Sequence, residues 1–116
     1  MSIVDHRELR VPLARLTIGM LSLLDSEDPP YTENKVDKCR EILTDHASGM
    51  DEVSDRKMAL EIVKNTIIQL NLLNESCGGK LIETSERDAI CTYISKTLEL
   101  RGLEAASEED LRWRQW

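Results

Sequence analysis

The residues of this chain that could carry chemistry are few and widely separated. The two histidines, His6 and His46, lack the Glu-x-x-His and His-x-x-x-His spacings of helical metal sites, and no two cysteines form a Cys-x-x-Cys pair. Cys39 and His46 fall on one helix face, but about 10 Å of helical rise separates them, which is too far for a nucleophile and its general base. The sequence therefore predicts no metal site, no cofactor and no catalytic residue, and we expect a protein that is not an enzyme.

The most unusual pattern is a row of acidic residues at intervals of four. We call it the acidic ridge, and its members are Glu33, Asp37, Glu41 and Asp45. On a helix this spacing places like charges side by side, which destabilises the helix by about 0.2–0.5 kcal/mol per pair. Either the ridge is a solvated face that Lys38 and Arg40 partly neutralise, or it is a docking surface for a basic partner.

A second candidate surface lies near the C-terminus. Trp113 and Trp116 stand three residues apart in a charged segment that also contains Arg112 and Arg114. Either the two rings fold back onto a core that has no Phe, or they project as binding anchors, because Trp and Arg are enriched at interface hot spots.

The distribution of charge favours a basic protein as the partner. The net charge is −7, and residues 25–55 alone contain ten acidic and three basic residues, so that the other residues balance at zero. Nucleic acid and anionic membranes attract Lys and Arg rather than such a surface, so we expect neither as a partner. The electrostatic complement of this region is a basic surface.

Helical periodicity predicts an all-α fold in a single domain. The four main helices are predicted at residues 12–24, 32–47, 53–75 and 85–101. Ser107, followed by three acidic residues, predicts a short C-terminal helix at 108–114. A core without Phe must be aliphatic, which favours packed helices, and we expect a bundle-like, antiparallel arrangement.

The longest predicted helix, 53–75, is apolar on two sides. Its main stripe includes Ile67 and Leu70, while Met58, Ile68 and Leu72 lie nearly opposite. Such a helix either packs in the centre of a bundle or presents its second stripe to a partner. In the second case Met58, Ile68 and Leu72 form the face of a homodimer.

The same composition predicts a cytoplasmic protein. No apolar run approaches the length of a membrane span, and the N-terminal segment MSIVDHRELR lacks the apolar stretch of a signal peptide. An odd number of widely spaced cysteines fits reduced thiols better than a disulfide framework.

In size, charge and helix content the chain resembles the small acidic helical immunity proteins that bacteria pair with contact-dependent or secreted toxins. Glu33, Asp37, Glu41 and Asp45 are the residues that carry the resemblance. It implies a role, that of an immunity-type or antitoxin-type inhibitor docking its acidic face on a basic toxin or nuclease, and it implies no individual site residue. The alternative is a homodimeric helical adaptor or subunit.

Overall fold

The computed structural model describes residues 2–116, and this range contains four α-helices and no β-strand. The helices are α1 (Arg7–Ser22), α2 (Glu33–Met50), α3 (Arg56–Ser76) and α4 (Thr84–Leu100), with 3-10 turns at Ile3–Asp5 and Leu23–Asp25. The predicted all-α fold is therefore confirmed.

The helices pack in two antiparallel pairs, α1 with α4 and α2 with α3, and α2 also contacts α1 and α4. Hydrogen bonds at the ends of the first two helices fix their relative direction. The Tyr31 hydroxyl donates to the Met20 carbonyl at 2.8 Å, and the Ile3 N–H donates to the Asp51 carboxylate at 2.9 Å. The molecule that results is elongated, with extents of 47 × 27 × 19 Å.

The core is mainly aliphatic, because the apolar stripes of all four helices point inward. Fully burying one Leu, Ile or Met side chain stabilises the fold by about 1.5–3 kcal/mol. The large apolar side chains that are fully buried include Leu9, Leu16, Met20, Leu43, Met50, Ile67, Leu70, Ile90, Ile94 and Leu98. Gly19 lets α1 approach α4 closely, since a Cβ atom there would lie 3.0 Å from a carboxylate oxygen of Glu86.

Helix α1 begins well before the predicted residue 12, so that Pro12 lies inside the helix. The imidazole Nδ1 of His6 accepts a hydrogen bond from the N–H of Glu8 at 3.1 Å and caps the first turn. The N–H that proline lacks would have bonded the carbonyl of Glu8, an exposed residue whose carbonyl water can satisfy.

The other helix ends differ from prediction because of local capping and packing. Helix α2 continues through Gly49 to Met50, whose side chain is fully buried. Helix α3 begins later than residue 53, because Asp55 is the capping residue and accepts the N–H of Met58 at 2.8 Å. Helix α4 begins just before residue 85, where the N–H of Glu83 donates to the Glu86 carboxylate at 3.2 Å.

The predicted helix at 108–114 is wrong, because residues 108–113 form overlapping turns. Ser107 does cap the segment, and its hydroxyl accepts the Asp110 N–H at 3.1 Å. Beyond that point Asn71 binds the backbone, donating to the Trp113 carbonyl at 2.8 Å and accepting the Gln115 N–H at 3.0 Å. A helix this short has little stability of its own, so these contacts with α3 determine the conformation.

Candidate protein-docking surface

The acidic ridge lies on the outer face of α2, and all four of its residues are exposed. The opposite face of the helix is buried against the core through Val36, Cys39, Leu43 and Ala47. Within residues 2–116, no ridge carboxylate lies within 4.0 Å of a basic side-chain nitrogen. Lys38 and Arg40 thus form no ion pair with the ridge, and its charge is available to a partner.

Some charged side chains elsewhere on the molecule do form close ion pairs. The Arg56 guanidinium lies 2.7 Å from the Asp110 carboxylate, and Arg114 lies 2.7 Å from Glu108. The first pair joins the C-terminal segment to α3, and the second lies within that segment. Exposed carboxylates outside the ridge, such as those of Glu27, Glu52 and Glu75, also lack an ion pair, so the regular spacing of like charges is what distinguishes the ridge.

A groove of about 360 Å³ runs between α2 and α3, beside the ridge. Its lining residues are Lys38, Glu41, Ile42, Asp45, Gln69, Leu72 and Leu73. Leu72 is 63% exposed, which is unusual for a leucine of this size in a helical bundle. The groove thus brings the carboxylates of Glu41 and Asp45 together with Leu72, two features that the sequence analysis assigned to different hypotheses.

The second apolar stripe of α3 faces solvent along its whole length. Met58 and Ile68 are exposed like Leu72, so α3 does not pack on both sides as a central helix would. At about 100° per residue these three positions span an arc of about 80°, and the exposed Glu61 and Asn65 lie among them. The stripe is therefore a mixed polar and apolar surface that continues the groove.

The tail borders this surface on the side away from α2. The ring of Trp113 is 37% exposed and lies in a cleft that includes Leu60 and Lys64 of α3. Cations approach the ring at two points, with the Lys64 Nζ 4.3 Å and the Arg112 Cζ 4.8 Å from its centroid. Trp113 is accordingly ordered at the surface and presents a partly exposed ring.

Trp116 lies in a different environment. Its side chain packs against the core and is partly buried, with the Arg114 Cζ 5.8 Å from the ring centroid. Its indole Nε1 is buried without a hydrogen-bond partner among the described residues. The two tryptophans therefore divide between the surface and the core.

His46 is buried on the inner face of α2 and joins three helices. Its Nδ1 lies 2.8 Å from the hydroxyl of Thr66 on α3, and its Nε2 lies 2.9 Å from that of Thr97 on α4. The Thr97 hydroxyl donates to the Ile94 carbonyl at 2.6 Å, so it accepts from the imidazole, which must carry its proton on Nε2. Burial lowers the pKa of His46 to about 4, and the ring is neutral at pH 7.

Cys39 and His46 do not form a nucleophile and base. Burial raises the pKa of the Cys39 thiol to about 12, and both ring nitrogens of His46 are bonded to threonines. Among residues 2–116 no group of three or more His, Cys, Asp or Glu side chains is arranged to hold a metal ion. The arrangement around His46 serves the packing of α2, α3 and α4.

Two buried asparagines on α3 have structural roles that the sequence did not predict. The Asn74 Oδ1 accepts the backbone N–H groups of Leu81 and Ile82 at 3.1 and 2.9 Å, which fixes the link to α4, while Asn71 fixes the tail. Their positions carried a signal, because each lies four residues after an apolar residue of the main stripe, Ile67 or Leu70.

The chain matches no protein-family model, and neither the curated proteins nor the solved structures include one with significant similarity to it. In the part of the chain that the structure describes, no helix has both the length and the apolar character that crossing a membrane requires.

Proposed function

We propose that this protein is a non-enzymatic inhibitor of the immunity or antitoxin type, which docks its acidic α2 face and the adjoining groove on a basic protein. The observation that carries the proposal is the meeting of the unpaired acidic ridge with an exposed leucine in one groove. A basic side chain could pair with Glu41 and Asp45 while an apolar neighbour covers Leu72. The free thiols of Cys39, Cys77 and Cys91 are in keeping with a cytoplasmic site of action.

The ridge supports this function through its energetics. Like charges at intervals of four destabilise α2 slightly, and no ion pair with a basic side chain of the described residues offsets this repulsion. Opposite charge on a partner would remove this repulsion and accelerate association by electrostatic steering. Proteins that cleave nucleic acid carry basic clefts for phosphate groups, so a toxin nuclease is the partner class that best fits the surface.

The proposal is tested with the double variant Asp37→Asn/Glu41→Gln and a matched control, Glu52→Gln/Glu75→Gln, which removes two exposed charges away from the ridge. Each protein serves as bait in a lysate of the native organism at low and high salt, and captured chains are identified by mass. The purified partner is then assayed for activity while the inhibitor is titrated to one equivalent. We expect the ridge variant to bind about tenfold more weakly and with a smaller salt dependence.

Equal affinity of the ridge variant and the control would remove the ridge from the mechanism. A captured partner that keeps full activity at one equivalent of this protein would exclude inhibition and leave only binding.

The exposure of Met58, Ile68 and Leu72 favours a second candidate function, that of a homodimeric adaptor or subunit. Light scattering after gel filtration separates the two candidates. A monomer at all concentrations supports the inhibitor, whereas a dimer that Leu72→Asp converts to monomer supports the adaptor.

A further inference from the structure

The outer face of α1 carries an apolar strip that no other element covers. Its members are Val11, Ala14, Ile18 and Leu21, which follow one another at helical spacing, and all four are exposed. Ile18, at 69%, is the most exposed large apolar side chain of the described residues. Burying such a strip against a partner would release the water that now covers it.

Arginines frame this strip. At about 100° per residue, Arg10 and Arg15 fall on opposite sides of it, and Arg7 lies at its N-terminal end. Within residues 2–116 none of these guanidinium groups has a carboxylate within 4.0 Å. The one acidic residue of α1, Glu8, lies 3.9 Å from Lys96 on α4. The outer face of α1 is thus locally basic on a protein whose net charge is −7.

A groove of about 330 Å³ lies along this face, between α1 and α2. Its lining residues are Arg10, Leu13, Ala14, Thr17, Ile18 and Arg40. The α1 wall includes the short side chains of Ala14 and Thr17, while Arg10 comes from one helix and Arg40 from the other. Short side chains on a groove wall permit a helix backbone to approach closely.

We propose that this α1–α2 groove is a second docking surface and that its occupant is an acidic amphipathic helix of another protein. Leucines of that helix cover Ile18 and Val11, while its carboxylates pair with Arg10 and Arg40, for which guanidinium groups are well shaped. A two-fold dimer through this groove would place arginines against arginines, so a second copy of this chain is the poorer occupant. The lining of this groove contains no carboxylate, which distinguishes it from the acidic face, although its Arg40 lies beside the ridge on α2. The proposal does not depend on the proposed function.

The test uses a fluorescein-labelled 18-residue helical peptide with leucines at the spacing of the α1 strip and glutamates on both flanks. In a control peptide lysine replaces every glutamate. Fluorescence anisotropy measures binding to the wild-type protein, to Arg10→Glu/Arg40→Glu and to the matched control Lys57→Glu/Lys80→Glu, whose lysines are exposed elsewhere. All the substituted side chains are exposed, so circular dichroism and melting temperature should match those of the wild type.

We expect the glutamate peptide to bind the wild type and the lysine control alike, more weakly as salt is added, and the arginine variant to lose at least about tenfold in affinity. Asp37→Asn/Glu41→Gln should bind the peptide at least as tightly as the wild type, because it removes negative charge beside Arg40, whereas binding through the acidic face should be weakened by the same change. The proposal is overturned if no binding occurs below about 100 µM, the limit of a useful docking affinity, or if the arginine variant binds equally well.

Two further results would overturn it in favour of another occupant. Concentration-dependent self-association that Arg10→Glu/Arg40→Glu abolishes would assign the groove to a second copy. Cosedimentation with phosphatidylglycerol–phosphatidylcholine vesicles, in the absence of peptide binding, would assign the arginine-framed strip to an anionic lipid surface.

Discussion

The two faces of α2 treat their polar residues in opposite ways. On the inner face His46 has a hydrogen-bond partner for each ring nitrogen, whereas on the outer face none of the four ridge carboxylates has an ion-pair partner among the described residues. The asparagines of α3 follow the inner pattern, since the side chains of Asn71 and Asn74 each bind two backbone groups. The buried side chains of His46, Asn71 and Asn74 are thus bonded within the fold, whereas the ridge carboxylates take part in no ion pair of the described residues.

The largest effect should come from removing the tail that Asn71 holds. Truncation after Asp110 deletes the buried Leu111 and the core-packed Trp116, and it leaves the Asn71 amide without its two partners. We expect the free energy of unfolding to fall by at least about 4 kcal/mol. Urea denaturation followed by circular dichroism measures the loss.

The control for the truncation is Trp113→Ala, which removes only the half-exposed ring and should cost about 1 kcal/mol. A truncated protein that melts normally but no longer binds its partner would show that the tail acts as a binding anchor and does not support the core.

The pH dependence of stability tests the bonding of His46. Above pH 6.5 the His46 imidazole is neutral in both the folded and the unfolded protein. Below that pH the imidazole of the unfolded chain is protonated, whereas that of the folded protein stays neutral down to its pKa of about 4. We therefore expect the free energy of unfolding to fall by about 3 kcal/mol as the pH drops through this window, and to level off below it. Denaturation of the wild type in a pH series gives the slope.

His46→Gln should flatten this slope, while Gln69→Ala, a change at an exposed site without an ionisable group, should keep it. The slope between about pH 6.5 and pH 5 reports on His46, because Asp51 and Asp110, whose pKa values hydrogen bonds lower below the usual 3.8, begin to lose their contribution only below about pH 5. If His46→Gln has the same slope as the wild type, then His46 takes up its proton in the folded protein at the same pH as in the unfolded chain.

Asn74→Ala should have a smaller effect than the truncation. The change leaves the backbone N–H groups of Leu81 and Ile82 buried without an acceptor, which should cost about 2 kcal/mol. The matched variant Asn65→Ala alters an exposed asparagine of the same helix and should stay within about 0.5 kcal/mol of the wild type. Similar losses in both variants would show that the hydrogen bonds of Asn74 contribute little.

The smallest effect on stability should come from the ridge itself. Asp37→Asn/Glu41→Gln removes like-charge repulsion without breaking an ion pair. The melting temperature should therefore stay the same or rise slightly, and the free energy of unfolding should increase by less than about 1 kcal/mol. Thermal melting at low and high salt measures the change. A clear decrease would show that the carboxylates stabilise α2, and the contrast between its two faces would no longer hold.

The sequence predicts the helices well because their apolar residues recur at a helical period, which depends on each segment alone. It places helix ends less well, because Asp55 and His6 act as caps through hydrogen bonds that composition does not reveal. The short C-terminal helix fails for a related reason, since Asn71 binds the backbone there from a distant part of the chain. The proximity of Leu72 to Glu41 likewise follows from the packing of α3 on α2, which no local pattern encodes.

The pairing of α1 with α4 has a consequence for how the chain reaches its fold. Helices α2 and α3 are neighbours in sequence and can pair early, whereas α1 packs chiefly on α4, the last of the four described helices. Until α4 leaves the ribosome, the apolar side of α1, with Leu9, Leu16 and Met20, has little to cover it. During synthesis these apolar side chains of α1 therefore stay more exposed than in the folded protein until α4 can pack on them.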